Sequence, residues 1–145
     1  MTPDPLPTSC RPSVVLATGT EFLLRNAIKE NNFIIGELVH GGELQFVIEN
    51  LPKDGGGCPG KWMFAQMMKH FGDAVTGIQG NWTYGDNLAT INRLTSGSAV
   101  PLDQVAFLGP TGKYALAHQY VHVRIMQATG TDGAYTHVRV LFTKR

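Results

Sequence analysis

The chain has 145 residues, 43% of them hydrophobic and 16% charged, with a formal net charge of +1. That is enough chain for one domain with a proper core, and too apolar a chain for disorder. The balanced charge, without any Lys/Arg cluster, leaves no electrostatic case for nucleic acid, and no apolar run reaches membrane-spanning length.

Residues 1–12 hold four of the eight prolines and read as a flexible, Pro-rich arm, leaving 13–145 as a single domain. Val14-Val15-Leu16 is a candidate short strand, and Thr20 to Lys29 is ambiguous between helix and strand. Asn31-Asn32 signals a turn. Two β-rich runs follow, 33–39 and 43–49, joined by Gly41-Gly42, which can supply the positive φ of a tight hairpin. In the second run Leu44, Phe46 and Ile48 alternate with Glu43, Gln45 and Glu49, the period of a half-buried strand.

Next comes the glycine-rich stretch Gly55-Gly56-Gly57-Cys58-Pro59-Gly60-Lys61, which runs into a helix. Phe64, Met67, Met68 and Phe71 make its apolar stripe, and Gly72 ends it. Glycines allow close backbone approach, and a helix N-terminus presents unpaired N–H groups with a partial positive charge. Together they favour an anion, phosphate above all. The plainer alternative is a glycine-rich connection that starts a helix comfortably, with Pro59 near its first turn.

Residues 75–82 read as a strand whose glycines suggest a bulge or a close approach, and Asp86 or Asn87 can cap a helix over 88–94. Helical segments follow around 102–107 and 113–118, broken at Gly109-Pro110. The chain closes on a hairpin of 121–126 and 138–142 with Asp132-Gly133 as its turn. The order predicts an α+β fold: a mixed, mainly antiparallel twisted sheet, a central Gly-loop helix and a C-terminal β-hairpin. One crossover over 43–82 is expected to be parallel and right-handed.

In this order of elements, over roughly residues 33–145, the chain resembles the GNAT family of N-acetyltransferases. There a glycine loop after a strand holds the pyrophosphate of acetyl-CoA, and the flanking strands splay to admit the pantetheine arm. The resemblance implies that Gly56, Gly57, Cys58, Gly60 and Lys61 bind acetyl-CoA or another acyl-CoA, with Lys69 near its phosphates. It implies acylation of a small-molecule or protein amine. Acyl transfer needs a base for the amine, a donor to polarise the thioester and an acid for the thiolate. Glu49, at the loop end of its strand, is the candidate base, with Glu43 second. Tyr114 is the candidate acid, with Tyr120 second. Each competes with an ordinary structural role, a solvated strand carboxylate or a packed tyrosine.

Gly55, Cys58 and Pro59 depart from the family's loop pattern, and Pro59 has no N–H to give. These departures favour a non-catalytic interaction module on the same fold. The stretch 80–92, with Thr111-Gly112-Lys113 and the closing hairpin, also resembles C-terminal effector domains of bacterial polymorphic toxins, which implies an enzyme acting on a host target or a domain neutralised by an immunity protein.

Cys10 and Cys58 are too far apart in sequence for a metal pair and are expected as free thiols in a reducing compartment. Residues 1–7 lack a basic start and an apolar core, so no signal peptide is expected and the location is read as cytoplasmic. At a helix start the Cys58 thiol pKa tends to fall, which would suit a nucleophile. His40, His70, His118, His122 and His137 show no metal spacing, and Ser96 and Ser98 sit in no nucleophile elbow. Trp82 and Tyr84 offer either a stacking surface or one buried indole.

Overall fold

Alternation of apolar and polar residues is the organising signal of the first half. In a computed structural model, which describes residues 6–50, 56–97 and 100–145, it resolves into strands β1 (Pro12–Ala17), β2 (Glu21–Asn26), β3 (Lys29–Val39) and β4 (Glu43–Asn50). They pair in sequence order as an antiparallel meander. The ambiguous segment is therefore strand. The expected turn at Asn31-Asn32 is corrected: both lie inside β3, and the chain turns at Ala27-Ile28. Asn32 stays in phase with Ile34, Gly36 and Leu38, so the pleat carries it to the buried face.

Helix α1 (Gly60–Phe71) lies across that face, as its stripe predicts. Met63, Phe64 and Met67 lose all solvent contact, a gain of about 1.5–3 kcal/mol for each fully buried side chain. Phe64 meets Phe46 edge-on at 5.1 Å, and Phe71 meets Phe22 at 6.3 Å. Gly36 faces the helix because a Cβ there would collide with Met67 Sδ. Gly72 at φ +55° ends α1, followed by one 3-10 turn over Gly72–Ala74. The β3–β4 turn uses His40, Gly41 and Gly42, all at positive φ.

By contact the chain divides into two units, Met1–Val75 and Thr76–Arg145. The second holds β5 (Gly77–Trp82), α2 (Gly85–Thr95), α3 (Leu102–Val105), α4 (Pro110–Ala117), β6 (His122–Thr129) and β7 (His137–Thr143). Here β7 pairs antiparallel with both β5 and β6. Ile78, Trp82, Val138, Val140 and Phe142 form its core, with Phe107 5.2 Å from Phe142. The helices break at Gly109-Pro110, and Pro110 opens α4.

Two details differ from expectation. No side chain caps α2, whose cap position is Tyr84. Asp86 and Asn87 lie in its first turn instead, and Asn87 reaches across to Thr111, donating to Oγ1 at 3.1 Å and accepting its N–H at 3.0 Å. Across the two units the class is α+β, with seven strands and four helices among the described residues.

Candidate functional site

The residues proposed to hold an anion come together at the start of α1, and the amides of three of them, Gly57, Cys58 and Gly60, are already taken. Gly57, at φ +85°, turns the loop and donates its N–H to Ser9 Oγ at 2.6 Å. The Cys58 N–H donates to Asn32 Oδ1 at 2.6 Å. In return Asn32 Nδ2 donates to the carbonyls of Cys58 (3.0 Å) and Glu49 (3.2 Å). With the Asn50 amide oriented to satisfy both its groups, its nitrogen donates to the Cys58 carbonyl and its oxygen accepts the Gly60 N–H, each at 3.2 Å.

A second asparagine stands behind the first. Asn26 Nδ2 donates to Asn32 Oδ1 (3.0 Å) and to the Ser9 carbonyl (2.8 Å), while its Oδ1 accepts the N–H groups of Arg11 (3.1 Å) and Ile28 (3.2 Å). Asn26 and Asn32 are 0% and 1% exposed. A buried amide is tolerated only when its donors and acceptors are matched, and among the described residues no buried side-chain polar atom lacks a partner.

The same loop is fastened covalently. Cys10 and Cys58 form a disulfide, with Cα atoms 4.6 Å apart and both residues buried. This corrects the expectation of free thiols, and it removes Cys58 as a nucleophile. Sequence distance misled because β1 and β2 fold the chain back, carrying Cys10 to the mouth of α1. The mobile arm is corrected with it over residues 7–11, which are held by the disulfide, by Ser9 and by the Cys10 N–H on the Pro7 carbonyl; Pro12 already belongs to β1. The arm's first five residues, Gly55 and Ser98 lie outside the described residues.

Of the candidate catalytic groups, Glu49 is half-buried on β4, and it enters the cluster through its carbonyl. Lys61 is exposed on the first turn of α1. Tyr114 stands on α4 in the second unit, where burial raises its phenol pKa. Tyr120 is buried beneath Lys144, whose Nζ lies 5.2 Å from the ring centroid. His70 packs on Phe22 and donates from Nε2 to the Thr18 carbonyl. Trp82 is buried and Tyr84 is 85% exposed, so the indole is core and only the phenol faces water. No group of three or more His, Cys, Asp or Glu is placed to hold a metal among the described residues.

Family models, curated proteins and solved structures return no match. For a diphosphate to take the Gly57 and Cys58 amides, two bonds of 2.6 Å, the first part-buried and the second buried, must break. That takes from Asn32 Oδ1 the shorter of its two buried bonds and leaves it only the Asn26 donor at 3.0 Å, a loss of about 0.5–1.5 kcal/mol. The disulfide keeps the loop from retreating. Chemically the cluster is a clasp that ties the segment before β1 to the start of α1, built from Ser9, Asn26, Asn32 and Asn50, none of which was singled out as a site residue from sequence. Their signal was parity: Asn26 continues Phe22 and Leu24, and Asn32 continues Ile34, so both asparagines fall on the buried face.

Proposed function

We propose that this chain is a non-catalytic α+β interaction module that works in an oxidising compartment. The observation that carries the reading is the set of amides at the start of α1: those of Gly57 and Cys58 are satisfied by Ser9 and Asn32, and the loop is locked by a buried disulfide. A loop built to grip an exchanging acyl-CoA leaves its amides open, because each bond to the ligand would otherwise have to replace an internal one. A buried disulfide persists where thiols are oxidised and is rare in the cytosol.

The disulfide also favours a second reading, the exported effector domain of a polymorphic toxin, neutralised by an immunity protein. Export would supply the oxidising passage that the disulfide needs. Toxicity on expression into the bacterial periplasm, relieved by the neighbouring gene product, supports that reading.

The module reading is tested by thermal unfolding of the oxidised protein with millimolar acetyl-CoA or CoA. A ligand at 100 times its Kd adds about 2.7 kcal/mol of stability. No shift is expected. A saturable shift overturns the module reading and restores the acyltransferase, with Glu49 and Tyr114 as the first residues to replace.

A further inference from the structure

Among the described residues two strands leave one side of their backbone ladder unpaired, and each is guarded only in part: Pro12 opens β1, Arg124 stands on β6, and each strand has one irregularity. Among the described residues β1 pairs with β2 alone, and β6 with β7 alone. Every residue of β1 is exposed, including Val14 (57%), Val15 (49%) and Leu16 (39%), and the strand carries no charge. β6 is exposed except at the half-buried Val123 and Ile125, with Met126 48% exposed and Val121, just before the strand, at 47%. Soluble proteins protect such edges with charges, prolines or a covering element, because an unpaired ladder with apolar side chains is a template for another strand.

The surroundings of the two edges differ in charge. Leu16 lies opposite Leu23, Leu23 opposite Ile35 and Ile35 opposite Val47, so one apolar row crosses the sheet face that α1 leaves open. Beside that row Glu21 and Glu37 sit directly opposite each other. Like charges in that position repel, and among the described residues no cation pairs with either. On β6, Arg124 is exposed and spends its Nε on Met126 Sδ at 3.2 Å, without a carboxylate among the described residues. Arg139 is exposed on the same face of β7. By sequence, residues 1–75 carry eight acidic against six basic side chains, and residues 76–145 carry three against six.

We propose that β1 of one copy pairs with β6 of a second copy, in a head-to-tail contact. The apolar residues of β1 meet Val121, Ile125 and Met126, and Arg124 brings its cation to the acidic side of the sheet, toward Glu21 on the strand next to β1. Main-chain hydrogen bonds supply the affinity of such strand addition, and the opposed charges set which edge pairs with which. Because the two surfaces are different, the contact does not close on itself as a dimer and propagates into longer assemblies. The inference concerns the free edges and not the clasp at α1, so it stands or falls independently of the function proposed above.

The test is sedimentation of the oxidised full chain over a range of concentrations. Mass should rise above the 15.8 kDa of one chain as concentration increases, and should fall back at high salt, where surface charges are screened. Val15→Lys places a guard on the first edge and Met126→Lys on the second. Each residue is about half exposed at an irregularity of its strand, so both variants should melt like the wild type. Each variant alone should stay a monomer, while an equal mixture should form a pair of about twice the chain mass and stop there. A wild-type protein that remains monomeric overturns the proposal. So does a mixture that fails to pair, or a Met126→Lys variant that still dimerises, which would mean β1 pairing with itself.

Discussion

Asn32 is the residue on which the start of α1 depends. Its side chain accepts one backbone N–H, donates to two carbonyls and takes a bond from Asn26, at 1% exposure. Alanine there would orphan several buried groups at once. Asn32→Ala is therefore expected to cost roughly 2–4 kcal/mol in denaturant unfolding of the oxidised protein. A loss under 1 kcal/mol would mean that water replaces the amide with ease. His118 offers a second residue-level test. Burial, and after it the Lys144 cation, hold its imidazole pKa below the ordinary 6.5. The folded state thus prefers the neutral ring, and below about pH 6.5 the unfolded chain takes up the proton first. The stability linked to this ring is complete above that pH and drains away as pH falls through the lowered folded pKa. His118→Gln should flatten the decline in melting temperature between about pH 7.5 and pH 5, and an unchanged profile would contradict the assignment.

At the scale of elements, α1 is joined to the segment before β1 by more than packing. The disulfide spans 48 residues, and closing a loop of that length removes chain entropy worth about 3–4 kcal/mol from the unfolded state. The double variant Cys10→Ser, Cys58→Ser should lose about that much and should speed exchange of the Gly57 N–H, which rests on Ser9 beside Cys10. Loss of stability with unchanged Gly57 protection would separate the covalent link from the hydrogen-bonded clasp. These elements were unevenly legible in the sequence. The stripe of α1 and the alternation of β4 name their own partners through period alone, and so they emerge as expected. Glycine at 41 and 42, and Pro110 after Gly109, mark their turns for conformational reasons that no tertiary contact alters. The segment 20–29 was short and apolar, a pattern that helix and strand share. Asn31-Asn32 looked like a turn because asparagine favours turns in isolation. Here the buried network gives Asn32 more than a turn would. The capping role expected for Asn87 failed similarly, since Thr111 supplied a better partner across the fold.

For the molecule as a whole, what sequence could not reach were the long-range pairings. Ser9 with Gly57 and Cys10 with Cys58 are each 48 residues apart, and Asn32 with Cys58 is 26. Nothing local at either end reports the other. The glycine loop therefore reads as an open anion cradle in sequence, and closes into a clasp only when the strands fold back over it. The central claim is that the chain's own side chains hold these amides and that the loop does not exchange them for a ligand. Amide hydrogen exchange of Gly57 and Cys58 in the oxidised protein, with and without millimolar CoA, tests it most directly. The account predicts slow exchange at both positions, unaltered by CoA. Fast exchange that CoA suppresses in a saturable way would contradict it.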